Sequence, residues 1–557
     1  MASRAAALAL ALLALAPAGA GAKVVIRSGM TSASSESRIA IVGSDRKLGG
    51  RAFQVLRDDA VVDRGRLRRA PGDPAPFEYA YRADWSAVTE PGAYRIRVGR
   101  VVSRPWIVAD GGASAAIAAI LGYFNANRDG AEASATHGPA HLHDAVVHPA
   151  AFAHGGAPVA STGGWMDAGD MLHFTQTTAF SAAVLQAAAR LDPADAAALN
   201  AEADVGVRWL IEAHPFPDAF VAQVGDERDH RLGFRDPATD DASGLQGIGT
   251  RFAYVLPADR IGGDLGGKAA AALALAHQRT GDPAQLAAAI EWYAAGKLSS
   301  APAPALKRAG YPAVAGDFYA STIWADSMAS AAIELYRSTG ETSYLGDAAG
   351  FLASPDARAD GTLGTVDSFA SLGAADACGA LGRPQIPAGP ALERSCSLLR
   401  KNGAIAVRQA RSNAFGMPGF FSWGTTAQNG AGGAFAALST VAPGGSRRGC
   451  EVAAGARDYL LGRNPFGAGF VVGFGPNAPR HPHHWASVFG SGLPAGAVVG
   501  GPAPLEQISE QGFRARGRLQ SEFAAYVDER RNYVTSEPAI DYAASSILLL
   551  AALEAHC

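Results

Sequence analysis

Neither sign of charge dominates this sequence. Its 48 Lys and Arg against 51 Asp and Glu leave a formal net charge of −3, which removes the electrostatic reason to expect nucleic acid or an anionic membrane as a partner. Charged residues are few, at 18%, while hydrophobic residues reach 48%, so wholesale disorder is excluded. Cysteine is scarce, with Cys378, Cys396, Cys450 and Cys557 alone. They form no C-x-x-C, which argues against a zinc ribbon or a thioredoxin-type site. No G-x-S-x-G occurs, so the nucleophile elbow of the serine hydrolases is missing.

What is present points to an exported chain of more than one domain. Arg4, an apolar run from Ala5 to Ala16, Pro17 and small residues at Ala18, Ala20 and Ala22 read as a signal peptide over residues 1–22. The run is too short for a comfortable membrane span, and no later stretch reads as one. In an exported chain four cysteines permit two disulfides with three connectivities, of which Cys378–Cys396 closes the shortest loop. At 557 residues two or more domains are expected. Residues 23–110 hold short β-branched runs such as Arg38–Ile39–Ala40–Ile41–Val42 and the alternating Tyr94–Arg95–Ile96–Arg97–Val98, punctuated by Gly and Pro; they predict a β-sandwich. Residues 111–557 change texture. Ala- and Leu-rich segments with helical spacing run at about 178–191, 198–213, 266–280, 284–296, 322–338, 401–411, 429–440, 447–461 and 538–556. Loops rich in Gly, Pro, Asp and His separate them, which suits a helical barrel whose loops build a site.

Three loop segments concentrate polar and aromatic residues. Gly163–Gly164–Trp165–Met166–Asp167–Ala168–Gly169–Asp170 sets two carboxylates three residues apart beside a tryptophan. Sugar cleavage needs carboxylates for the proton and the water, and an aromatic face for the pyranose. Taken alone, D-A-G-D also fits a calcium loop or a helix-capping turn. The second segment runs from Tyr459 to Trp485 and contains Leu461–Gly462–Arg463–Asn464–Pro465 and His481–Pro482–His483–His484. Its histidines resemble a metal cluster, but no Cys or Glu beside them completes one. The third includes Ser536–Glu537–Pro538 and Ala539–Ile540–Asp541–Tyr542. Glu537 there suits the first turn of the last helix, where a carboxylate is also favoured simply by the helix dipole.

Together and in order, these segments resemble glycoside hydrolase family 9. Gly164–Trp165–Met166–Asp167–Ala168–Gly169–Asp170 is similar to the family's G-W-[YHM]-D-A-G-D block. Tyr459–Pro465 with Pro482–His483–His484 is similar to a second signature, and Ser536–Glu537 with Ala539, Asp541 and Tyr542 to a third. Asp84–Tyr94 resembles the end of the Ig-like domain that often precedes this module. The resemblance implies an N-terminal Ig-like β-sandwich followed by an all-α (α/α)6 barrel, and an inverting hydrolase of β-1,4-glucosidic bonds in cellulose-like β-glucans. It assigns Asp170 as general base, Asp167 as holder of the attacking water and Glu537 as general acid with a raised pKa. Trp165, His230, Trp324, Trp423, His483 and Tyr542 are the substrate-contact positions. No cofactor is required; calcium is compatible. A monomer acting on a glucan or oligosaccharide is expected. The departures leave open an exo-acting β-glucosidase, cellodextrinase or β-glucosaminidase, and a non-catalytic sugar-binding protein.

Those departures are specific. Trp485 follows the Pro-His-His where the family usually has Arg, so sugar contacts there should change. Gly233 stands three residues after His230 where a Trp is common, so a stacking platform should be lost. Ser536 replaces an Asn beside the acid. Asp129 and Ala140 stand where zinc-binding relatives have Cys, which disfavours zinc; His137, His141, His143, His148 and His154 cluster nearby and are expected as solvated loop histidines.

Overall fold

The computed structural model describes residues 23–131, 134, 136–357, 369–490 and 492–557; the expected signal peptide lies outside them. Residues 24–108 fold into two sheets. In one, Ile39–Ser44 pairs antiparallel with Val24–Arg27 and Tyr79–Asp84, and Arg68–Arg69 lies beyond the latter. In the other, Gly92–Val98 lies between Ala52–Arg57 and Trp106–Val108, with Ala60–Arg66 and Thr31–Ser32 outside them. The alternation read in Gly92–Val98 holds: Tyr94, Ile96 and Val98 are buried while Ala93 and Arg95 are exposed, as expected of a half-buried strand. Phe53, Val55, Trp85, Tyr94, Ile96 and Trp106 fill the space between the sheets.

The strand Ile39–Ser44 is buried on both faces. Ala40 and Val42 enter the sandwich core, whereas Ile39 and Ile41 belong to the core of the helical part. Its uninterrupted apolar run is explained by this double burial. Polar links reinforce the junction. Arg27 donates to the Pro465 carbonyl at 2.7 Å and Arg463 to that of Ile39 at 2.9 Å, while Arg457 pairs with Glu36 at 2.5 Å and Asp458 at 3.0 Å.

Among the described residues, twelve helices have eight residues or more. Every second one has most of its residues buried: Thr175–Leu191, Gly262–Thr280, Ala325–Thr339, Ala370–Ala377, Thr425–Leu438 and Ile540–His556. They alternate along the chain with Gly112–Ala126, Ala196–Glu212, Pro283–Ser299, Ser343–Phe351, Pro390–Ser412 and Arg448–Leu460, the last of which is also mostly buried. Helices surrounded by helices need small residues at their contacts. A Cβ on Gly266 would lie 2.7 Å from the Gly296 Cα of the next helix, too close for any side chain. The abundant alanine therefore serves close packing as well as helix propensity.

A small sheet, ordered Val146–Val147, Phe252–Pro257, Ala219–Val224, His173–Phe174, gathers the loops around residues 167–173 and 225–235. Disulfides join Cys378 to Cys396, the short loop favoured from the sequence, and Cys450 to Cys557, tying the last residue to the helix Arg448–Leu460. Among the described residues no helix is long and apolar enough to cross a membrane.

Candidate active site

A cleft of about 1040 Å³ is lined by Asp167, Asp170, His230, Phe234, Phe318, Tyr319, Trp423, His483, Tyr533, Glu537, Asp541 and Tyr542 among others. Its floor is the D-A-G-D loop. Asn127 anchors the loop backbone through its Nδ2, which donates to the Met166 carbonyl at 2.9 Å. His484 Nε2 in turn donates to Asn127 Oδ1 at 2.9 Å. Burial first, then the neighbouring histidines, pushes His484 down to about 3, so it acts as a neutral donor. Gly169 is required by close approach: a Cβ there would sit 2.1 Å from the His483 carbonyl and 3.0 Å from Glu537 Oε1.

The three carboxylates occupy different surroundings. Asp167 is buried and accepts from Thr177 Oγ1 and Tyr319 OH, each at 2.5 Å. Burial and the Asp170 charge nevertheless raise it to about 7. Asp170 accepts from the Leu172 amide at 3.1 Å and from His230 Nε2 at 2.6 Å. Burial opposes a charge on His230, but the bond to Asp170 and the charges of Asp170, Asp229 and Glu537 outweigh it and hold the imidazole up at about 9. His230 is therefore protonated near neutrality and forms an ion pair with Asp170. Glu537 is raised to about 8, by burial first and then by the Asp170 charge, with His230 and the Gly169 amide pulling the other way. It does not sit in the first turn of the last helix. It caps the four-residue helix Tyr533–Ser536 in extended conformation, and the last helix starts at Ile540. Pro538 and Ala539 separate the two, which frees the carboxyl to turn into the cleft.

The other expected contact residues divide. His230, Trp423, His483 and Tyr542 line the cleft. Trp423 is 43% exposed, with its ring 5.4 Å from that of Tyr533. His483 Nδ1 donates to the Arg530 carbonyl at 2.7 Å, and burial keeps the ring neutral, leaving Nε2 as an acceptor. Trp165 and Trp324 are elsewhere. Trp165 is fully buried, its ring in the space left by Gly206 and its indole N–H donating to Glu202 at 2.9 Å. Trp324 packs over Gly263 and edge-on to Phe351. Both tryptophans fill holes opened by glycines on neighbouring helices, so packing, not sugar, explains them.

Trp485 offers the cleft no group in place of the arginine expected there. It is 1% exposed and packs with Met166 and Met171, which bracket the D-A-G-D loop. The platform expected to be lost at Gly233 has a neighbour: Phe234 lines the cleft, edge-on to His483 at 4.8 Å. Phe318, 5.5 Å from His230, and Tyr319 were not singled out from the sequence; an aromatic pair beside Asp317 in an otherwise Ala- and Gly-rich loop was the available signal.

Among the described residues the histidines join no group that could hold a metal ion. His481 faces Asp528, His483 the cleft and His484 Asn127. His143 and His154 pair with Asp241 and Asp218 near the surface, and His148 stacks on Tyr254. His141 is no solvated loop histidine: it is fully buried and bonds to Asp129 at 2.8 Å. Asp129 also accepts from His173 at 2.8 Å and from Arg251 at 2.6 Å. The zinc of some relatives does not fit these residues. Ala140 offers no donor, and a guanidinium already neutralises the Asp129 oxygen that a dication would need.

A family model for glycosyl hydrolase family 9 matches residues 114–550, and one for the cellulase N-terminal Ig-like domain matches residues 33–103. The chain is 28% identical over 454 residues to endoglucanase 14 of Arabidopsis thaliana, covering 71% of this chain and 85% of that one. It is 27% identical over 446 residues to an endoglucanase of Dictyostelium discoideum, covering 74% of this chain and 56% of that one. The crystal structure of a metagenome-derived family 9 endoglucanase superposes with a TM-score of 0.76 at 25% identity, covering 96% of this chain and all of that one. With the family match spanning most of its length, this chain belongs to glycosyl hydrolase family 9 and carries a cellulase-type Ig-like domain in front of the hydrolase domain.

Proposed function

We propose that this protein is an exported, monomeric, inverting endo-β-1,4-glucanase acting on cellulose-like β-glucans and their oligosaccharides. The observation that carries the reading is a pair of carboxyls in unequal surroundings on one cleft. Glu537 is raised to about 8 and so carries a proton at neutral pH, while Asp170 is paired with a protonated His230. A carboxyl that keeps its proton, opposite one that is ion-paired with a cation, is what acid and base roles require. Glu537 protonates the departing glycosidic oxygen. Asp170 takes the proton of the attacking water, and Asp167, fixed by Thr177 and Tyr319, helps hold that water. Trp423, Phe234 and Phe318 offer aromatic faces to pyranose rings, and His483 and Tyr542 hydrogen-bonding groups to hydroxyls.

Two cysteine pairs joined as disulfides support export. Twelve longer helices, every second one along the chain mostly buried, support an (α/α)6 barrel, and the passage from the strand ending at Val108 to the helix starting at Gly112 supports a domain boundary near 110.

The test is stereochemical. Direct displacement by water from a β-glycoside releases the α-anomer first. Proton NMR of cellopentaose cleavage, recorded before mutarotation, should see it, and carboxymethyl cellulose should lose viscosity early. A β-anomer as first product would overturn inversion, and release of single sugars from chain ends only would replace the endo reading by an exo-acting glycosidase.

A further inference from the structure

Beneath the D-A-G-D loop the structure closes a circuit of charges that the proposed chemistry does not use. The Met171 amide donates to Asp229 Oδ2 at 3.1 Å, and the other Asp229 oxygen pairs with Arg235. Arg235 grips Asp240 through Nε and Nη2 at 2.7–2.9 Å. Asp240 Oδ2 meets His141 Nε2 at 3.2 Å, and His141 Nδ1 meets Asp129 at 2.8 Å. Asp129 accepts from Arg251 Nη2 at 2.6 Å, and Arg251 Nη1 returns to the Met171 carbonyl. Charges alternate in sign around the ring, because the Asp129 and Asp240 carboxylates outweigh burial and keep His141 protonated. The side chains are 1–16% exposed. Asp144, on Arg251 Nε at 2.5 Å, and His173, on Asp129, brace it.

Burying six charges costs desolvation that their pairing largely cancels, so such a ring is poorly explained by stability alone. What it does is geometric. It begins and ends on Met171, holding both the amide and the carbonyl of the residue after Asp170. It also includes Asp229, the residue before His230.

We propose that this ring is a positioning device for the Asp170–His230 pair, with Asp240, Arg235 and His141 acting as positioning residues through Asp229 and Met171. The proposal rests on the reading of Asp170 as the base. A displacement of about 1 Å at a reacting group can cost on the order of 100-fold in rate, so loosening the ring should act on kcat.

The experiment compares Asp240→Asn, Arg235→Met and Arg235→Lys with a control, Arg337→Met, which breaks a buried ion pair with Asp376 remote in sequence from the ring. Three quantities are read: Tm, kcat and KM on cellopentaose, and the His230 titration by NMR of protein labelled at histidine. That titration reports on Asp170, Asp229 and Glu537, the carboxylates that hold His230 charged, and on Phe318 against its ring. D240N and R235M should lose about 10- to 100-fold in kcat with KM within about twofold, and His230 should titrate below about 9. R235K should recover part of both. R337M should lower Tm and move neither. Folded D240N and R235M with unchanged kcat and unchanged His230 titration would overturn the proposal; if D240N does not fold, R235K and R235M decide. A wild-type protein inert on all β-glucans, whose His230 signal still moves in D240N, would refute the functional reading while leaving the positioning role intact.

Discussion

Glu537 binds its proton more tightly in the folded chain than in the unfolded one, where a glutamate titrates near 4.5. Its contribution to stability is therefore fully present below about pH 4.5 and is lost as pH rises through about 8. His230, raised from 6.5 to about 9, adds a loss of the same sign between those values. Glu537→Gln cannot ionise, so it should be more stable than wild type at pH 9, by about 2–4 kcal/mol, and nearly equal at pH 4.5; urea unfolding at the two pH values measures this. Its catalytic consequence separates substrates. The loss in kcat should reach several orders of magnitude on cello-oligosaccharides and be much smaller on an aryl glycoside whose leaving group needs no proton. Equal losses on both would remove Glu537 from the acid role. For wild type, kcat/KM should fall above about pH 8 as Glu537 ionises.

The D-A-G-D loop is held from several sides: by Asn127 beneath it, by Trp485 through Met166 and Met171, and by the His483 backbone over Gly169. Gly169→Ala would place a methyl carbon 2.1 Å from a backbone oxygen, which only a shift of the loop or of the His483 segment can relieve. Its kcat should drop by roughly 100-fold while the protein stays folded, as circular dichroism and steady-state kinetics would record; unchanged kcat would mean that the segment yields without moving the carboxyls. This scale also shows the limits of sequence reading. Nine helices were legible from apolar spacing. The helices Gly112–Ala126, Ser343–Phe351 and Ala370–Ala377 were not, the last two because eight or nine residues carry too few turns for a periodic signal. Trp165, Trp324 and Trp485 look alike as sequence letters to Trp423. Only the packing of glycines and methionines around them tells a core ring from a cleft ring.

At the scale of the molecule, the sandwich and the helical domain share a core through Ile39 and Ile41 and a buried network of Glu36, Arg457, Asp458 and Arg463. Arg457→Met leaves Glu36 and Asp458 without their main cation and should cost about 3–5 kcal/mol. Calorimetry should show a lower Tm with the two domains still melting together; a separate early transition for the sandwich would mean that the shared core does not couple them. The cage around Asp129 leads to a further expectation: elemental analysis should find no stoichiometric zinc, and a zinc-selective chelator should leave activity intact. One tightly held zinc per chain would refute the reading of Arg251 as the cation of that site.

By itself the sequence determined the order of a β-sandwich and a helical domain and singled out three carboxylates that meet on one cleft, because strand alternation, helical periodicity and short motifs are local patterns that survive without coordinates. Tertiary structure decided which aromatic rings reach the cleft, why Glu537 and His230 hold their protons, and how Asp129, His141, Asp229, Arg235, Asp240 and Arg251 close on one residue. Burial and ion pairing are properties of neighbours, and in the ring alone these neighbours stand up to 122 positions apart along the chain.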